Sequence, residues 1–140
     1  MGLVLDTNAF ILAERRAGDR TATPDFSPWS AYGQAYISVA TASELLVGVH
    51  CAASEARRVK RSAFVEATLA AMPILDFNLE AARVHARIKA ALQARGQTLG
   101  ANDLVIAATA LAGGHAVLTT DVDDFGRVPG LEVLAFPLAD

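Results

Sequence analysis

The sequence predicts an α/β fold, with a parallel sheet covered by helices on both faces. Short apolar runs of strand type alternate with helical patterns of roughly 8 to 18 residues, the signature of βα units. Proline, and glycine apart from Gly48, falls between these segments rather than inside them. The 140 residues suit one domain, 1–140, with no internal repeat, low-complexity tract or linker.

The first strand is expected at Leu3 to Leu5, ending at the polar turn Asp6-Thr7-Asn8, with helical spacing through Phe10, Ile11 and Leu12 to Arg16. Ala17 to Gly33 holds Gly18, Pro24, Pro28 and Gly33 and predicts a long loop with one short helical turn. Trp29 and Tyr32 lie in it and are expected to pack over the core rather than to stack on bases. A second strand follows at Tyr36 to Val39. Thr41 then opens a helix to about Val49, with Leu45, Leu46 and Val49 as its apolar stripe. Glu55 to Ala71 is helical and stops at Met72-Pro73. Ile74 and Leu75 make a short strand. Asn78 caps a long helix to about Ala94, ended by Gly96. Asn102-Asp103 begins an apolar helix through Leu104 to Ala112, closed by Gly113-Gly114. Ala116 to Leu118 and Leu131 to Leu134 are the last strands.

Composition narrows the chemistry. Hydrophobic residues are 53% of the chain and charged residues 19%, which predicts a globular protein. No apolar run has the roughly 18–20 residues of a membrane span. The N-terminus shows neither the basic start nor the long apolar stretch of a signal peptide. Cys51 is the sole cysteine, so neither an intrachain disulfide nor a cysteine metal cage is possible, and the expected compartment is a reducing, cytoplasmic one. The net charge of −3 by itself argues against a nucleic-acid partner. Its distribution matters more, because basic residues cluster at Arg57, Arg58, Lys60 and Arg61, at Arg83, Arg87, Lys89 and Arg95, and at Arg15 and Arg16. At i, i+3 and i+4, Arg57 groups with Lys60 and Arg61 on one helix face, either as a solvated face or as a track for a polyanion.

Ligands of an open parallel sheet bind beyond the carboxyl ends of its strands. Asp6 follows the first strand and Asp121 follows Ala116 to Leu118, so both project at that edge. Glu44 and Asp103 are expected in the first turns of their helices, which can face the same edge. Each acid also has a structural explanation. Asp6 suits an Asx turn, Thr41-x-x-Glu44 a capping box, Asp103 a helix start, and Asp121, Asp123 and Asp124 an acidic turn. None of these explains why all four lie at one end of the architecture. Two carboxylates about 4 Å apart repel by about 4 kcal/mol at an effective dielectric near 20, so converging acids need a cation or a proton. All-oxygen donors select hard ions such as Mg²⁺ or Mn²⁺, and such ions serve phosphodiester hydrolysis. Other sites are missing: there is no P-loop or G-x-G-x-x-G, Asn8 stands where a covalent aspartyl phosphatase needs a second acid, and His50, His85 and His115 lack zinc spacing.

These motifs resemble those of the PIN-domain nucleases, and most closely the VapC-type toxins of bacterial toxin–antitoxin pairs. "VLDTN" at 4–8, "ISVATASELLVGV" at 37–49, "QTLGANDLVIAATAL" at 97–111 and "AVLTTDVDDFGRVPGLEV" at 116–133 are similar to the family's four acidic motifs. The resemblance implies a three-layer sandwich with a five-stranded parallel sheet, one or two Mg²⁺ or Mn²⁺ ions, and endonucleolytic RNA cleavage. It also implies a homodimer and a cognate antitoxin that inserts a peptide near the acidic site. Asp6 and Asp103 become the metal ligands, and Glu44 and Asp121 complete the cluster directly or through water. Two departures stand out. Asp121 occupies a position that is often Asn in such sequences, which leaves its role shared with Asp124, and the loop from Ala17 to Gly33 is long. A housekeeping PIN nuclease without an antitoxin, or a catalytically silent interaction module, are the alternative readings.

Overall fold

The computed structural model describes residues 1–16 and 26–138. Five strands, β1 (Leu3–Leu5), β2 (Ala35–Ser38), β3 (Ile74–Leu75), β4 (Ala116–Thr119) and β5 (Val133–Ala135), form one sheet in the order β3-β2-β1-β4-β5. All four pairings are parallel. Helices α1 (Thr7–Arg16), α2 (Val39–His50), α3 (Glu55–Ala71), α4 (Leu79–Ala94), α5 (Ala101–Ala112) and α6 (Val122–Phe125) connect the strands, and a 3₁₀ segment spans Ser27–Tyr32. This is the expected α/β sandwich.

The central strands β1 and β4 are buried on both sides, and their alternation sorts residues between two cores. Leu3, Leu5, Ala116 and Leu118 face one core with Phe10, Leu45 and Val65 from α1, α2 and α3. Val4 and Val117 face the other, with Ile88 and Leu92 of α4 and Leu104 and Ile106 of α5. α5 lies closest to the sheet. Ala107, Ala108 and Ala110 are fully buried there, and such small side chains let the helix approach both the strands and α4. No described helix is long and apolar enough to cross a membrane.

The helix boundaries follow their caps. Ser54 Oγ accepts from Arg57 N–H to start α3, and Asn78 Oδ1 accepts from Ala81 N–H to start α4. Gly96, at φ 68°, supplies the left-handed turn after α4. Trp29 stacks on Phe136 with ring centroids 5.4 Å apart, so this aromatic packs over the core as expected.

Several boundaries differ from expectation. Thr7 and Asn8 belong to α1, which follows β1 with a single residue between. α2 begins at Val39, capped by Ser38 Oγ, which accepts from Thr41 N–H at 3.3 Å. Thr41 therefore lies inside the helix and makes no capping box with Glu44, and Glu44 stands in the second turn rather than the first. Two serines and a threonine precede Glu44, and the extended φ and ψ of Ser38 decide which of them caps. α6 replaces the plain acidic turn. The loop expected over Ala17 to Gly33 falls outside the described residues from 17 to 25.

Candidate active site

The chain runs outward from β1 to β2 and β3, then returns to β4 on the other side of β1. The sheet order thus reverses between β1 and β4, and a crevice opens beyond their carboxyl ends. Leu5 pairs with Leu118, and Asp6 N–H donates to Leu118 C=O at 2.9 Å, so the pairing carries Asp6 up against Thr119.

Asp6 is only 3% exposed. A buried carboxylate needs hydrogen bonds to offset its lost hydration. Thr119 Oγ1, itself buried, donates to Asp6 Oδ2 at 2.7 Å and accepts from Asp121 N–H at 2.9 Å. One hydroxyl therefore ties the ends of the two central strands together. Asp121 Oδ1 accepts from Asp124 N–H at 3.2 Å, so this side chain caps α6 while lining the crevice. The acidic-turn explanation of Asp121 holds in that respect.

Glu44 reaches the crevice from α2. Thr7 Oγ1 donates to Glu44 Oε1 at 3.1 Å and lies 2.9 Å from Thr41 Oγ1. Asp103 is the third residue of α5 and half-buried; Gly100 caps that helix with no side-chain bond, and a Cβ there would lie in ordinary van der Waals contact with Asp103 Oδ2, at 3.5 Å. Asp124 forms an ion pair with Arg127 at 3.2 Å on the rim, and Arg127 also donates to Thr98 C=O.

The electrostatics tie the acids together. Asp103 is pushed up from 3.8 to about 6, first by burial and then by the charges of Asp6, Glu44, Asp121 and Asp124. Asp6 is also raised, by burial above all and then by Glu44 and Asp121, against hydrogen bonds from Thr119 and from the Thr7 backbone. Carboxylates that raise one another across a common space share one electrostatic site. Among the described residues no group of three or more His, Cys, Asp or Glu side chains is drawn together tightly enough to hold a metal ion. Asp103 nevertheless lies within electrostatic reach of Asp6, Glu44, Asp121 and Asp124. The donors are all oxygen and the local charge strongly negative, which fits a hard divalent cation.

Sequence reasoning missed the hydroxyls. Thr7, Thr41 and Thr119 are buried, and each stands beside or between the acids it serves. The available signal was a threonine adjoining an acid at a strand's carboxyl end, where an apolar residue would otherwise finish the core. Arg127 was missed as well, although its i+3 spacing from Asp124 is visible in the sequence.

A sheet with this order and an acidic crevice at its switch point defines a class. The model of the PIN domain matches residues 3–131, and the chain belongs to the PIN-domain family. Within the family it is similar over its whole length to VapC proteins. It is 41% identical over 140 residues to "Ribonuclease VapC1" of Rickettsia felis, covering 100% of both chains. Identity is 39% over 140 residues with "Ribonuclease VapC" of Rickettsia bellii, again covering 100% of both. Among solved structures, VapBC-5 of Mycobacterium tuberculosis, a member of the VapBC family of toxin–antitoxin systems, superposes with a TM-score of 0.72 at 33% identity, over 97% of this chain and 100% of that one.

Proposed function

We propose that this chain is the ribonuclease toxin of a toxin–antitoxin pair. It hydrolyses RNA phosphodiesters at the crevice of Asp6, Glu44, Asp103 and Asp121, with Mg²⁺ or Mn²⁺ as cofactor. The observation that carries the reading is the Thr119 hydroxyl that joins Asp6 to Asp121 at the ends of the two central strands, with Glu44 and Asp103 within electrostatic reach of Asp6. Full-length similarity to proteins named ribonucleases supports the reaction, and likeness to a VapBC toxin–antitoxin structure supports a cognate antitoxin. The protein works as a homodimer in the cytoplasm on this reading.

Asp6 and Asp103 would hold the cation, with Glu44 and Asp121 completing its surroundings directly or through water. When bound, it supplies Lewis acidity and lowers the pKa of a coordinated water. The chain's own residues do the rest. Thr119 fixes Asp6 at the floor of the crevice, so its position does not depend on solvent. Thr7 holds one oxygen of Glu44 and leaves its carboxylate facing the crevice, where it orients the attacking water and takes its proton. Attack is in line with the leaving oxygen of the backbone phosphorus, and burial of Asp6 and Thr119 keeps the floor rigid while the bond breaks.

The test is incubation of the purified protein with total RNA, with and without Mg²⁺ or Mn²⁺, followed by mapping of the new ends. Metal-dependent internal cleavage that a co-purified antitoxin suppresses is the expected result. Cleavage that persists in chelator, or an absence of cleavage with either ion, would overturn the reading.

A further inference from the structure

Away from the carboxylates, α2 and α3 enclose a cleft of 540 Å³ lined by Gly48, Ala52, Ala53, Arg57, Lys60 and Arg61. Its floor is made of small residues and its wall of three cations from one face of α3. Arg61 is the anchored member. It is half-buried, and its guanidinium lies 4.0 Å from a carboxylate oxygen of Glu14, a residue only 6% exposed. The other carboxylate oxygen of Glu14 is buried without a hydrogen-bond partner among the described residues. At 4.0 Å, Arg61 and Glu14 form an ion pair without a hydrogen bond, so the guanidinium donors are not taken up by Glu14.

Arg57 and Lys60 are exposed, and neither is ion-paired to a described residue. Their neighbour Arg58 differs: it is bound to Glu55 at 2.7 Å and lies outside the cleft lining. Gly48 keeps the cleft open. A Cβ there would meet Arg61 Nε at 3.7 Å, so any longer side chain would enter the space in front of the guanidinium.

The cleft and the acidic crevice share two helices. Gly48 follows Glu44 by four residues on α2, the same helix face one turn on, roughly 6 Å along the axis. α1 runs alongside, with Thr7 touching Glu44 and Glu14 touching Arg61, seven residues and two turns apart on one face. A strand of polyanion lying across the crevice therefore meets a cationic cleft one helical turn from Glu44.

We propose that this cleft is a phosphate subsite for the RNA backbone, occupied by a phosphodiester next to the one being cut. The proposal rests on the ribonuclease reading for its ligand. Forked guanidinium donors match phosphate oxygens, and the small floor admits the backbone without selecting a base. The subsite supplies affinity and register to the substrate and no sequence preference.

The test measures binding of fluorescent single-stranded RNA of several unrelated sequences, in chelator, against salt concentration. Arg57→Ala with Lys60→Ala should weaken binding similarly for every sequence, by roughly tenfold at 0.1 M salt, and flatten the slope of log affinity against log salt by about 1.4. Gly48→Glu should weaken binding as well, by placing a carboxylate before Arg61, and thermal melts should show all variants folded. Wild-type affinity and slope in these variants would overturn the proposal. So would unchanged RNA binding with a lost antitoxin complex or a lost dimer, which assigns the cleft to a protein. The two readings separate cleanly. If Asp6→Asn abolishes metal-dependent cleavage while the cleft variants bind RNA normally, the ribonuclease stands and the subsite falls. If RNA binding depends on the cleft but no cleavage occurs, the subsite stands and the ribonuclease reading falls.

Discussion

The acidic crevice and the cationic cleft meet along α2, yet they are built on opposite plans. The crevice gathers like charges, three of them held by a hydroxyl or a backbone N–H: Asp6 by Thr119, Glu44 by Thr7, and Asp121 by Asp124 N–H. The cleft holds cations of which only Arg61 has a buried partner, while Arg57 and Lys60 extend into solvent. The lesson is a division of labour between rigidity and reach. Chemistry at phosphorus needs groups held within a fraction of an ångström, whereas backbone affinity needs only charge at the right distance.

Changes that remove crevice charge should break this contrast most sharply. Asp6→Asn, Asp103→Asn and Glu44→Gln should each lower RNA cleavage by more than roughly a hundredfold with RNA affinity in chelator kept or improved, since a negative charge leaves the path of the phosphates. Single-turnover cleavage beside anisotropy titrations gives both numbers. Glu44→Gln is the most informative of the three, because Ser38 rather than Thr41 caps α2 and no capping role is left to confuse the result. Retained cleavage in Glu44→Gln would remove Glu44 from the site.

Thr119→Val comes next. It is nearly isosteric and deletes both the bond to Asp6 and the acceptor for Asp121 N–H, so stability should fall by about 1–3 kcal/mol. Thr119 acts through Asp6, as a positioning residue. Its loss should therefore lower kcat and shift the metal concentration needed for half activity, while salt-dependent RNA binding in chelator stays at the wild-type value. Unaltered metal dependence would confine Thr119 to the core.

A smaller effect is expected from pH. Asp103 binds its proton more tightly folded than unfolded, so in metal-free protein it costs stability once ionised. The folded state loses ground as pH rises from the ordinary value of 3.8 to about 6 and recovers it as pH falls. Asp103→Asn should thus melt above wild type at pH 7 in chelator, with the gap closing toward pH 4. A gap independent of pH would show that neither burial nor the neighbouring charges raise this carboxyl. Smallest of all is Arg58→Ala. Its pair with Glu55 is exposed, so stability should change by no more than about 0.5 kcal/mol and RNA affinity should match wild type, against the clear loss expected one residue earlier at Arg57.

Much of this molecule was legible in its sequence. Glu55–Ala71 and Leu79–Ala94 have strong caps and stops, and their bounds follow from local chemistry. The strands were legible as short apolar runs between turn residues. Convergence of Asp6 and Asp121 was expected from their place after parallel strands. What no local pattern could supply was that β1 and β4 are neighbours, because strand order is decided by the packing of helices far apart in the chain. The same holds for the hydroxyl links, which join residues separated by 34 to 113 positions. The boundary at Val39 was misplaced for a nearer reason: Val39 has strand propensity, and Ser38 wins only because its cap lets α2 begin above the sheet.

The buried alanines of α5 set a tolerance for the whole catalytic apparatus. Asp103 stands at one end of a helix that buries Leu104 and Ile106 and, beyond them, the fully buried Ala107, Ala108 and Ala110. A single added methylene there must be absorbed by sliding or tilting the helix, and the end carrying Asp103 moves with it. The protein can therefore be disarmed from the far side of its sheet, by a substitution that leaves every acid in place and the fold recognisable. Alanine here acts as a spacer gauge, and the most conservative-looking positions in the chain are among those with the least freedom to change.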